Sequence, residues 1–342
     1  MKKLRVQDAV GETLCHDVTG VFPNGLKGAV FSRGHVIGPD DVDKLLDIGK
    51  YHVFVWEPDA GEVHEEDAAL ALADVICGDC VTFSRKLSEG KVTIKASRDG
   101  LFRTDREALR EINSVPDYTL ATLPDMTPVA QGGAVCGLRI VPLVTKQENV
   151  DRAVEIARNA YPLLDVLPYK KLMCGVIITG SEVYYGRIED KFEPVMRAKI
   201  AALGGEIFGV IKCPDDTDMI LAALSDFLNQ GAEVILLTGG MSVDPDDLTP
   251  TAIRRSGAEV ITQGMPMQPG NMLTIAYLGD VVLFGVPGAS MFSKVTSLDV
   301  FLPRVFAGIR TTREEIAALG EGGLCLNCEV CNYPVCYFGR GV

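Results

Sequence analysis

The feature that most constrains the fold is a regular alternation of strand-like and helix-like segments between residues 171 and 310. Short apolar runs bounded by turn residues alternate with longer segments whose apolar residues recur at helical spacing. The strand-like runs are KLMCGVIITG, EIFGVIKC, AEVILLTGG, AEVIT, MLTIAYL and VVLFGVPG. This alternation predicts a mostly parallel sheet with helices on both faces, a three-layer αβα domain that we place at residues 166–310. Ligands of such domains bind beyond the carboxyl ends of the strands.

The helical segments between these strands have recognisable ends. EDKFEPVMRAKIAALGG closes at Gly204, and DDTDMILAALSDFLNQG begins with capping acids and closes at Gly231. LTPTAIRRSG predicts a third helix, and a last one is expected from about residue 289 to residue 307.

The two flanking regions have different patterns. Residues 1–165 predict a mixed α+β accessory region with small β-rich pieces, in one or two subdomains. Its turn signals are FPNG (22–25), SRDG (97–100) and PVAQGG (128–133), its predicted helices are 40–49 and 147–160, and YHVFVWE (51–57) is a predicted strand. Residues 311–342 predict a short helix, TREEIAALG, followed by a cysteine-rich tail.

The charge balance limits the partners. The net charge of −13 argues against nucleic acid and anionic membrane surfaces. The start, MKKLRVQDAVGETLCHD, has no apolar segment of signal-peptide length, and the strongest apolar runs are too short to span a membrane. We therefore expect a cytoplasmic protein.

Three of the predicted strands end in loops that could hold an anion. The loops are TGSEV (179–183), TGGMSVDPDD (238–247) and GVPGAS (285–290). Hydroxyl groups and unhindered backbone N–H groups are available from Thr179, Gly180, Thr238, Gly239, Gly240, Gly288 and Ser290.

The same loops also carry many carboxylates, which repel a phosphate. The acids are Glu182, Asp190, Asp215, Asp216, Asp244, Asp246 and Asp247. Near a protein surface, a carboxylate about 4 Å from a phosphate repels it by roughly 4 kcal/mol. The dipole of a helix N-terminus stabilises the phosphate by only about 0.3–1 kcal/mol. The pattern therefore predicts a phosphorylated ligand bridged by Mg²⁺. Asp246 and one of Asp215 and Asp216 are expected to be solvated or helix-capping, and Glu182 and Asp247 to be functional.

Other catalytic plans do not fit the chain. All four histidines (His16, His35, His52 and His64) precede residue 65 and are expected to be structural. The chain contains neither a Walker phosphate loop nor a dinucleotide-binding glycine fingerprint.

Taken in order, the motifs resemble the molybdopterin-binding domain shared by the MoeA and gephyrin E-domain molybdenum insertases and the MogA/MoaB adenylyltransferases. The motifs are TGSEV, GRIED, the Asp215–Asp216 pair, TGGMSV with Asp247, MQPGNM (267–272) and GVPGAS. The resemblance implies Mg²⁺-dependent transfer of molybdate onto adenylylated molybdopterin. We also expect a homodimer and a molybdoenzyme client. The resemblance implies metal or catalytic roles for Glu182, Asp247 and Asp215 or Asp216. It also implies ligand contacts from Ser242, Pro269, Gly270 and Pro287, in addition to the anion-cradle residues named above.

The sequence departs from the family pattern at several positions. Ser181 replaces the aspartate of T-G-D-E-L, and D-S-N is replaced by Asp190-Lys191-Phe192. In the insertase stretch M-K-P-G-K-P, the two lysines are replaced by Gln268 and Asn271. Their loss affects catalysis more than binding, because lysines are natural partners for molybdate and phosphate. The nearest basic residues by sequence are Arg254, Arg255 and Lys294.

Two alternatives to the insertase remain open at the level of sequence. A non-catalytic carrier or sensor of molybdenum cofactor would explain the missing lysines. The stretch DPDDLTPTAI also resembles CinA-type proteins, which implies cleavage of nucleotide pyrophosphates with the same Mg²⁺ electrostatics.

The tail places four thiols within a short segment, Cys325-x2-Cys328-x2-Cys331-x4-Cys336. Zinc sites usually combine two separate C-x2–4-C pairs, and the bacterial iron–sulfur run has three residues in its last gap and a following proline. The tail is therefore predicted to bind a metal, either zinc or an iron–sulfur cluster, with thiol chemistry during molybdenum or sulfur transfer as the alternative.

Overall fold

The protein is described by a computed structural model over residues 1–21, 27–55, 60–87, 90–242, 244–245 and 247–340. The predicted turn at 22–25, the end of the predicted strand at Trp56 and Glu57, and Asp246 lie outside these residues. The chain divides into two compact units. Unit 1 comprises Met1–Ser97, Arg103–Leu123 and Gln131–Asp165, and unit 2 comprises Arg98–Phe102, Pro124–Ala130 and Val166–Val342.

The chain up to residue 168 consists of short strands and helices. The strands are β1 (Lys2–Arg5), β2 (Val18–Val21), β3 (Lys27–Phe31), β4 (His52–Val55), β5 (Glu62–His64), β6 (Val81–Phe83), β7 (Val92–Ala96), β8 (Gly100–Thr104), β9 (Tyr118–Thr122), β10 (Thr127–Val129), β11 (Ala134–Ile140), β12 (Val144–Lys146) and β13 (Leu164–Pro168). The helices are α1 (Asp41–Asp47), α2 (Glu65–Ile76), α3 (Arg106–Asn113) and α4 (Gln147–Asn159). The predicted helices at 40–49 and 147–160 are confirmed as α1 and α4.

Small antiparallel sheets dominate unit 1. The pairs β1–β4, β2–β3 and β5–β12 are two-stranded in the described chain, and β6, β7, β11 and β9 form a larger sheet in that order. Residues from Val6 to Val55 enclose an apolar cluster of their own that includes Leu14, Phe31 and Leu45. The prediction of a mixed α+β region with small β-rich pieces is confirmed.

Structural roles account for two of the histidines, as predicted. His64 is buried and precedes α2, where its Nδ1 accepts the N–H of Glu66 (3.2 Å) and its Nε2 lies 2.6 Å from the carbonyl oxygen of Cys15. Burial lowers the pKa of His64, so the neutral ring is the form that makes both contacts. His35 contacts the carboxylate of Asp41. His16 and His52 line a separate cleft of about 370 Å³ in unit 1.

Asp41 should make the stability of unit 1 depend on pH. Its carboxylate accepts hydrogen bonds from His35 Nε2 (2.8 Å), the Gly38 N–H (3.0 Å) and Lys44 Nζ (3.0 Å). These contacts, that with His35 foremost, hold the pKa of Asp41 well below its usual range. A depressed carboxyl pKa stabilises the fold above the unfolded pKa of about 3.9, and this contribution is lost as the pH falls through the folded pKa. Asp41→Asn should therefore lower the free energy of unfolding by roughly 1–3 kcal/mol at pH 7 and by about 1 kcal/mol less at pH 3, where the carboxyl is mostly protonated in the unfolded chain and still ionised in the folded one.

Urea titrations of the wild type and the Asp41→Asn variant at both pH values measure this difference. Lys44→Gln is the matched control, because it removes one partner of Asp41 and leaves the carboxylate in place. A destabilisation by Asp41→Asn that is equal at pH 7 and pH 3 would contradict the assignment.

A six-stranded sheet forms the centre of unit 2. Its strands are β14 (Met173–Thr179), β15 (Glu206–Cys213), β16 (Val234–Thr238), β17 (Glu259–Gln263), β18 (Thr274–Leu278) and β19 (Val281–Val286). The helices are α5 (Ser181–Tyr184), α6 (Phe192–Ala202), α7 (Thr217–Asn229), α8 (Thr249–Arg255), α9 (Ser297–Phe306) and α10 (Arg313–Ala318). The strand order in the described chain is β15-β14-β16-β19-β18-β17. Neighbours from β15 to β19 are parallel, and β18 and β17 continue the sheet in antiparallel pairs.

Helices cover both faces of this sheet, as the alternation predicts. Successive residues of a strand point to opposite faces. Val176 and Ile178 of β14 accordingly join one buried cluster with side chains of α6 and α9, and Ile177 between them joins a second cluster with α7 and α8. The α/β architecture is therefore confirmed, with its core divided between the two faces. Within the described residues, no helix is both long and apolar enough to cross a membrane.

The predicted helix from about 289 to 307 is wrong in its first half. A single 3₁₀ turn covers Gly288–Met291, and the α-helix begins only at Ser297. The reason is a capping box, in which Thr296 adopts an extended backbone and exchanges hydrogen bonds with Asp299. A residue capped in this way begins a new helix and cannot continue an earlier one.

Candidate functional site

The carboxyl ends of β14, β16 and β19 open into a cleft of about 1550 Å³ in unit 2. The loops after all three strands line it, together with the segment from Arg187 to Phe192 and with Asn271 and Met272. Parallel strands end at the same edge of their sheet, so loops that are far apart in sequence meet there.

The first loop is held by an exchange of hydrogen bonds with the end of β15. Asp215 accepts the backbone N–H of Ser181 at 2.8 Å, and the Ser181 hydroxyl accepts the N–H of Asp215 at 3.2 Å. Ser181, which stands where the family has an aspartate, is therefore hydrogen-bonded to Asp215. The carboxylate of Glu182 lies over Gly180, where an added Cβ would come within 3.0 Å of Glu182 Oε1.

The second loop depends on its glycine pair. Gly239 and Gly240 have φ values of 89° and 53°, and a Cβ on Gly239 would lie 2.2 Å from the carbonyl oxygen of Thr179. Glycine is required at Gly239 because both the backbone conformation and the close approach exclude a side chain. Both glycines are half-buried and line the cleft, so part of their backbone faces it.

The hydroxyl groups of the threonines in these loops are hydrogen-bonded within the protein. Thr179 Oγ1 donates to the carbonyl oxygen of Thr238 (3.1 Å) and lies 3.0 Å from Thr249 Oγ1. The Thr249 hydroxyl donates in turn to the carbonyl of Gly239 (2.9 Å). Thr179 and Thr238 are both buried, so the groups left for an anion are backbone N–H groups and the exposed Ser242 hydroxyl.

The adjacent acids Asp215 and Asp216 have different surroundings. Asp215 lines the cleft. Asp216 is the N-cap of α7, where its carboxylate accepts the N–H of Met219 at 2.9 Å, and it is not part of the cleft lining. Of the two acids that the resemblance offers for a metal role, Asp215 is the one in position.

Two further acids hold backbone as well as facing the cleft. Asp190 accepts the N–H groups of Phe192 (2.8 Å) and Glu193 (3.3 Å) at the start of α6. Asp247 accepts the N–H of Asp244 at 3.2 Å and so closes its own loop.

The structure separates the sequence-predicted residues into two groups. Those that line the cleft are Thr179, Gly180, Glu182, Asp215, Gly239, Gly240, Ser242, Asp247, Pro287 and Gly288. Those outside its lining are Asp216, Thr238, Pro269, Gly270 and Ser290. Gly270 packs against the start of α9, where its carbonyl accepts the Ser297 hydroxyl (2.6 Å), and the buried Ser290 hydroxyl lies 3.4 Å from that of Thr296.

The cleft residues that sequence reasoning did not select include Arg187, Lys191, Met272 and Phe292. Arg187 and Lys191 lie in and beside the GRIED motif, so their position just after a strand-end loop was the available signal. Phe292 is 74% exposed and offers a flat apolar surface to a ring system.

The donor chemistry of the cleft fits Mg²⁺ shared with a ligand. Among the described residues, no group of three or more His, Cys, Asp or Glu side chains is arranged to hold a metal ion. Mg²⁺ needs no such cage, since it is commonly held by one or two carboxylates, waters and ligand phosphates. Of the carboxylates that line the cleft, Glu182, Asp215 and Asp247 are those at positions to which the family resemblance gives metal roles.

The cysteine tail is part of unit 2 and pairs with the segment that contains Asn271. Leu324 pairs with Gln268 in a parallel bridge, and the Cys325 N–H donates to the Gln268 carbonyl at 2.7 Å. Phe338 is buried, and the Tyr333 hydroxyl donates to the carbonyl of Asp299.

The thiols differ in exposure. Cys325 and Cys336 are half-buried, whereas Cys328 and Cys331 are exposed. Asn327 has a positive φ of 51°, and its N–H lies 3.5 Å from Cys325 Sγ as donor. A backbone N–H directed at the first sulfur of a C-x2-C pair is a contact that tunes metal-bound thiolates.

Comparison with known proteins finds two family models that match parts of the chain. Residues 175–307 match the family model described as a probable molybdopterin binding domain, and residues 3–57 match a domain of unknown function, DUF8806. The chain is 26% identical over 176 residues to the molybdopterin molybdenumtransferase of Synechococcus elongatus, covering 48% of this chain and 44% of the relative. It is 27% identical over 153 residues to that of Bacillus subtilis, covering 43% and 35%. The chain thus spans less than half the length of these curated relatives.

Solved structures of the same group are also similar. The MoeA protein from Pyrococcus horikosii aligns with 90% of this chain and 74% of its own at 14% identity and a TM-score of 0.34. The tungsten cofactor synthesizing protein MoaB from Pyrococcus furiosus aligns with 42% of this chain and 98% of its own at 23% identity and a TM-score of 0.33.

The family model covers the strands and loops that form the cleft, from β14 to the end of α9. The resemblance drawn from the strand-end motifs is therefore confirmed: residues 175–307 match the model of a probable molybdopterin binding domain, and the relatives named above, which align with part of the chain, are molybdopterin molybdenumtransferases.

Proposed function

We propose that the cleft binds adenylylated molybdopterin and that the protein transfers molybdate onto it with release of AMP. The observation that carries this proposal is the combination, in one cleft, of the backbone of Gly239 and Gly240 with the carboxylates of Glu182, Asp215 and Asp247. This combination suits a phosphorylated ligand only if a divalent cation offsets the repulsion between carboxylate and phosphate.

Each element of the cleft has a role in this proposal. The backbone from Gly239 to Ser242 cradles the phosphate, and Phe292 covers the pterin. Glu182, Asp215 and Asp247 would hold Mg²⁺, which when bound neutralises charge on the phosphate and orients it. Molybdate is the second substrate, and the closed first loop positions Glu182 toward it.

The test is an assay with purified protein, Mg²⁺, molybdate and adenylylated molybdopterin. We expect AMP to be released and active cofactor to form, in amounts that match one another. Pterin binding without AMP release would favour a carrier or sensor of the cofactor. Cleavage of ADP-ribose-like pyrophosphates without cofactor formation would favour the CinA-like activity.

The cellular setting belongs to the same proposal. A cytoplasmic homodimer that delivers cofactor to a molybdoenzyme fits a Mg²⁺- and adenylate-dependent reaction. The division into an accessory region (1–165), a binding domain (166–310) and a tail (311–342) is part of it as well. Light scattering of the purified protein would report the mass, and a monomer would exclude the dimer.

A second proposal concerns the tail, whose four cysteines we assign to a thiophilic metal, either zinc or an iron–sulfur cluster. The C-x2-C-x2-C spacing and the Asn327 N–H directed at Cys325 Sγ support it. Because Cys328 and Cys331 are exposed, their loop would close over the half-buried Cys325 and Cys336 when a metal binds.

Metal removal tests the tail directly. Anaerobically purified protein should contain about one metal site per chain by elemental analysis, with visible absorption only for an iron–sulfur cluster. The double variant Cys328→Ser/Cys331→Ser should lose this metal, whereas Cys77→Ser, a half-buried cysteine outside the tail, should retain it. Absence of both zinc and iron from the wild type would refute the assignment.

A further inference from the structure

The described lining of the cleft carries more negative than positive charge, although the ligands proposed for it are anions. Its described lining contains six carboxylates, those of Glu182, Glu189, Asp190, Asp215, Asp244 and Asp247. Mg²⁺ offsets part of this charge, but tetrahedral oxyanions are normally held by Arg or Lys as well. The family lysine positions contain Gln268 and Asn271.

The basic residues nearest to these loops in sequence are engaged elsewhere. Arg254 donates to Gln263, Arg255 pairs with Asp218 at 3.3 Å, and Lys294 donates to the carbonyl of Glu329. The three are not part of the cleft lining among the described residues.

Arg187 and Lys191 are the basic side chains in the described lining of the cleft. Both are exposed, and neither has a hydrogen bond or ion pair from its side chain within the part of the chain that the structure describes. Nothing in that part of the chain therefore competes with a ligand for their N–H groups.

The backbone around both residues is held by hydrogen bonds. The N–H groups of Arg187 (2.8 Å) and Ile188 (3.3 Å) both donate to the carbonyl of Glu182, so the loop folds back toward the end of β14. Lys191 follows Asp190, whose carboxylate is occupied by two N–H groups of α6. The negative charge next to Lys191 is thus partly offset by the helix start.

Resting on the proposed function, we infer that Arg187 and Lys191 bind a tetrahedral oxyanion in the cleft, either molybdate or a phosphate group of the adenylylated pterin. Arg187 supplies a planar donor pair that matches two oxygens, and Lys191 supplies a point charge at the start of α6. The two cations take the place of positive charge that Gln268 and Asn271 do not provide.

The test measures binding of two separate probes, molybdate and AMP, by calorimetry in the presence of Mg²⁺. Arg187→Gln and Lys191→Gln should each weaken at least one probe by roughly 10- to 100-fold, as expected for a lost charge-assisted hydrogen bond. Arg187→Lys should restore part of the affinity, and the dependence of binding on salt should be shallower in both Gln variants. Arg254→Gln is the matched control and should bind like the wild type.

The pattern of loss locates the contact. Weakening of molybdate alone places the cations at the metal oxyanion, and weakening of AMP alone places them at the phosphate. Unchanged affinity of both Gln variants for both probes overturns the inference, as does a wild type that binds neither probe. Thermal denaturation should be unchanged, since both side chains are exposed. Failure of the AMP-release assay with these affinity changes intact would count against the proposed function alone.

Discussion

Replacing Asp247 by asparagine should lower the rate of molybdate transfer by roughly 100-fold or more, because a preorganised charge at a metal–phosphate site is worth several kcal/mol. The variant should remain folded. The Asp247 carboxylate accepts the Asp244 N–H at 3.2 Å. An asparagine oxygen can accept the same hydrogen bond. The change therefore removes charge and keeps the shape of the loop.

The measurement is the initial rate of AMP release at a series of Mg²⁺ concentrations. Half-maximal activity of Asp247→Asn should require more Mg²⁺ than that of the wild type. Asp218→Asn is a suitable control, because Asp218 is an exposed acid of α7 whose side chain pairs with Arg255. An Asp247→Asn rate within twofold of wild type, or an equal loss in Asp218→Asn, would remove Asp247 from the metal site.

Phe227→Ala should destabilise unit 2 by about 3–5 kcal/mol, the largest stability loss expected from a single side chain of α7. Phe227 is buried, and its ring lies against two paired glycines, Gly175 of β14 and Gly209 of β15. A Cβ on either glycine would come within 2.7 Å of the ring. Because these strands offer only backbone at that point, neither Gly175 nor Gly209 can fill the cavity with a side chain.

Urea unfolding followed by far-ultraviolet circular dichroism measures the loss. The cleft should be affected as well, since α7 follows directly after Asp215 and Asp216. Phe292→Ala is the control of the same residue type, and its 74% exposure predicts a change within about 0.5 kcal/mol. A loss below about 1 kcal/mol for Phe227→Ala would mean that the glycine surface repacks.

Local signals were sufficient for most of the α/β elements. EIFGVIKC is apolar, bounded by Gly and Pro, and coincides with β15 over Glu206–Cys213. The start of the last long helix was missed although Thr296-Ser297-Leu298-Asp299 has the capping-box pattern. The apolar residues on both sides of Thr296 hid a boundary that two side chains determine.

The roles of adjacent acids could not be read from their spacing. Asp215 and Asp216 are equivalent in sequence, as two acids between a strand and a helix. The parallel pairing of β15 with β14 brings Asp215 to the N–H of Ser181, and the start of α7 takes Asp216 as its cap. The first contact is between residues 34 positions apart, and single-sequence periodicity carries no information on it.

The amino-acid sequence alone was enough to predict the fold class of residues 166–310, the edge of the sheet at which a ligand is expected, and the strand-end motifs that resemble a molybdopterin-binding domain. These predictions depend on hydrophobic period, turn chemistry and short motifs, all of which are local. Which side chains face the cleft became clear from the folded structure. It turned the hydroxyls of Thr179 and Thr238 inward and brought Arg187 and Lys191 into the lining. The physical reason is that the direction of a side chain in a loop depends on the hydrogen bonds its backbone makes with distant strands.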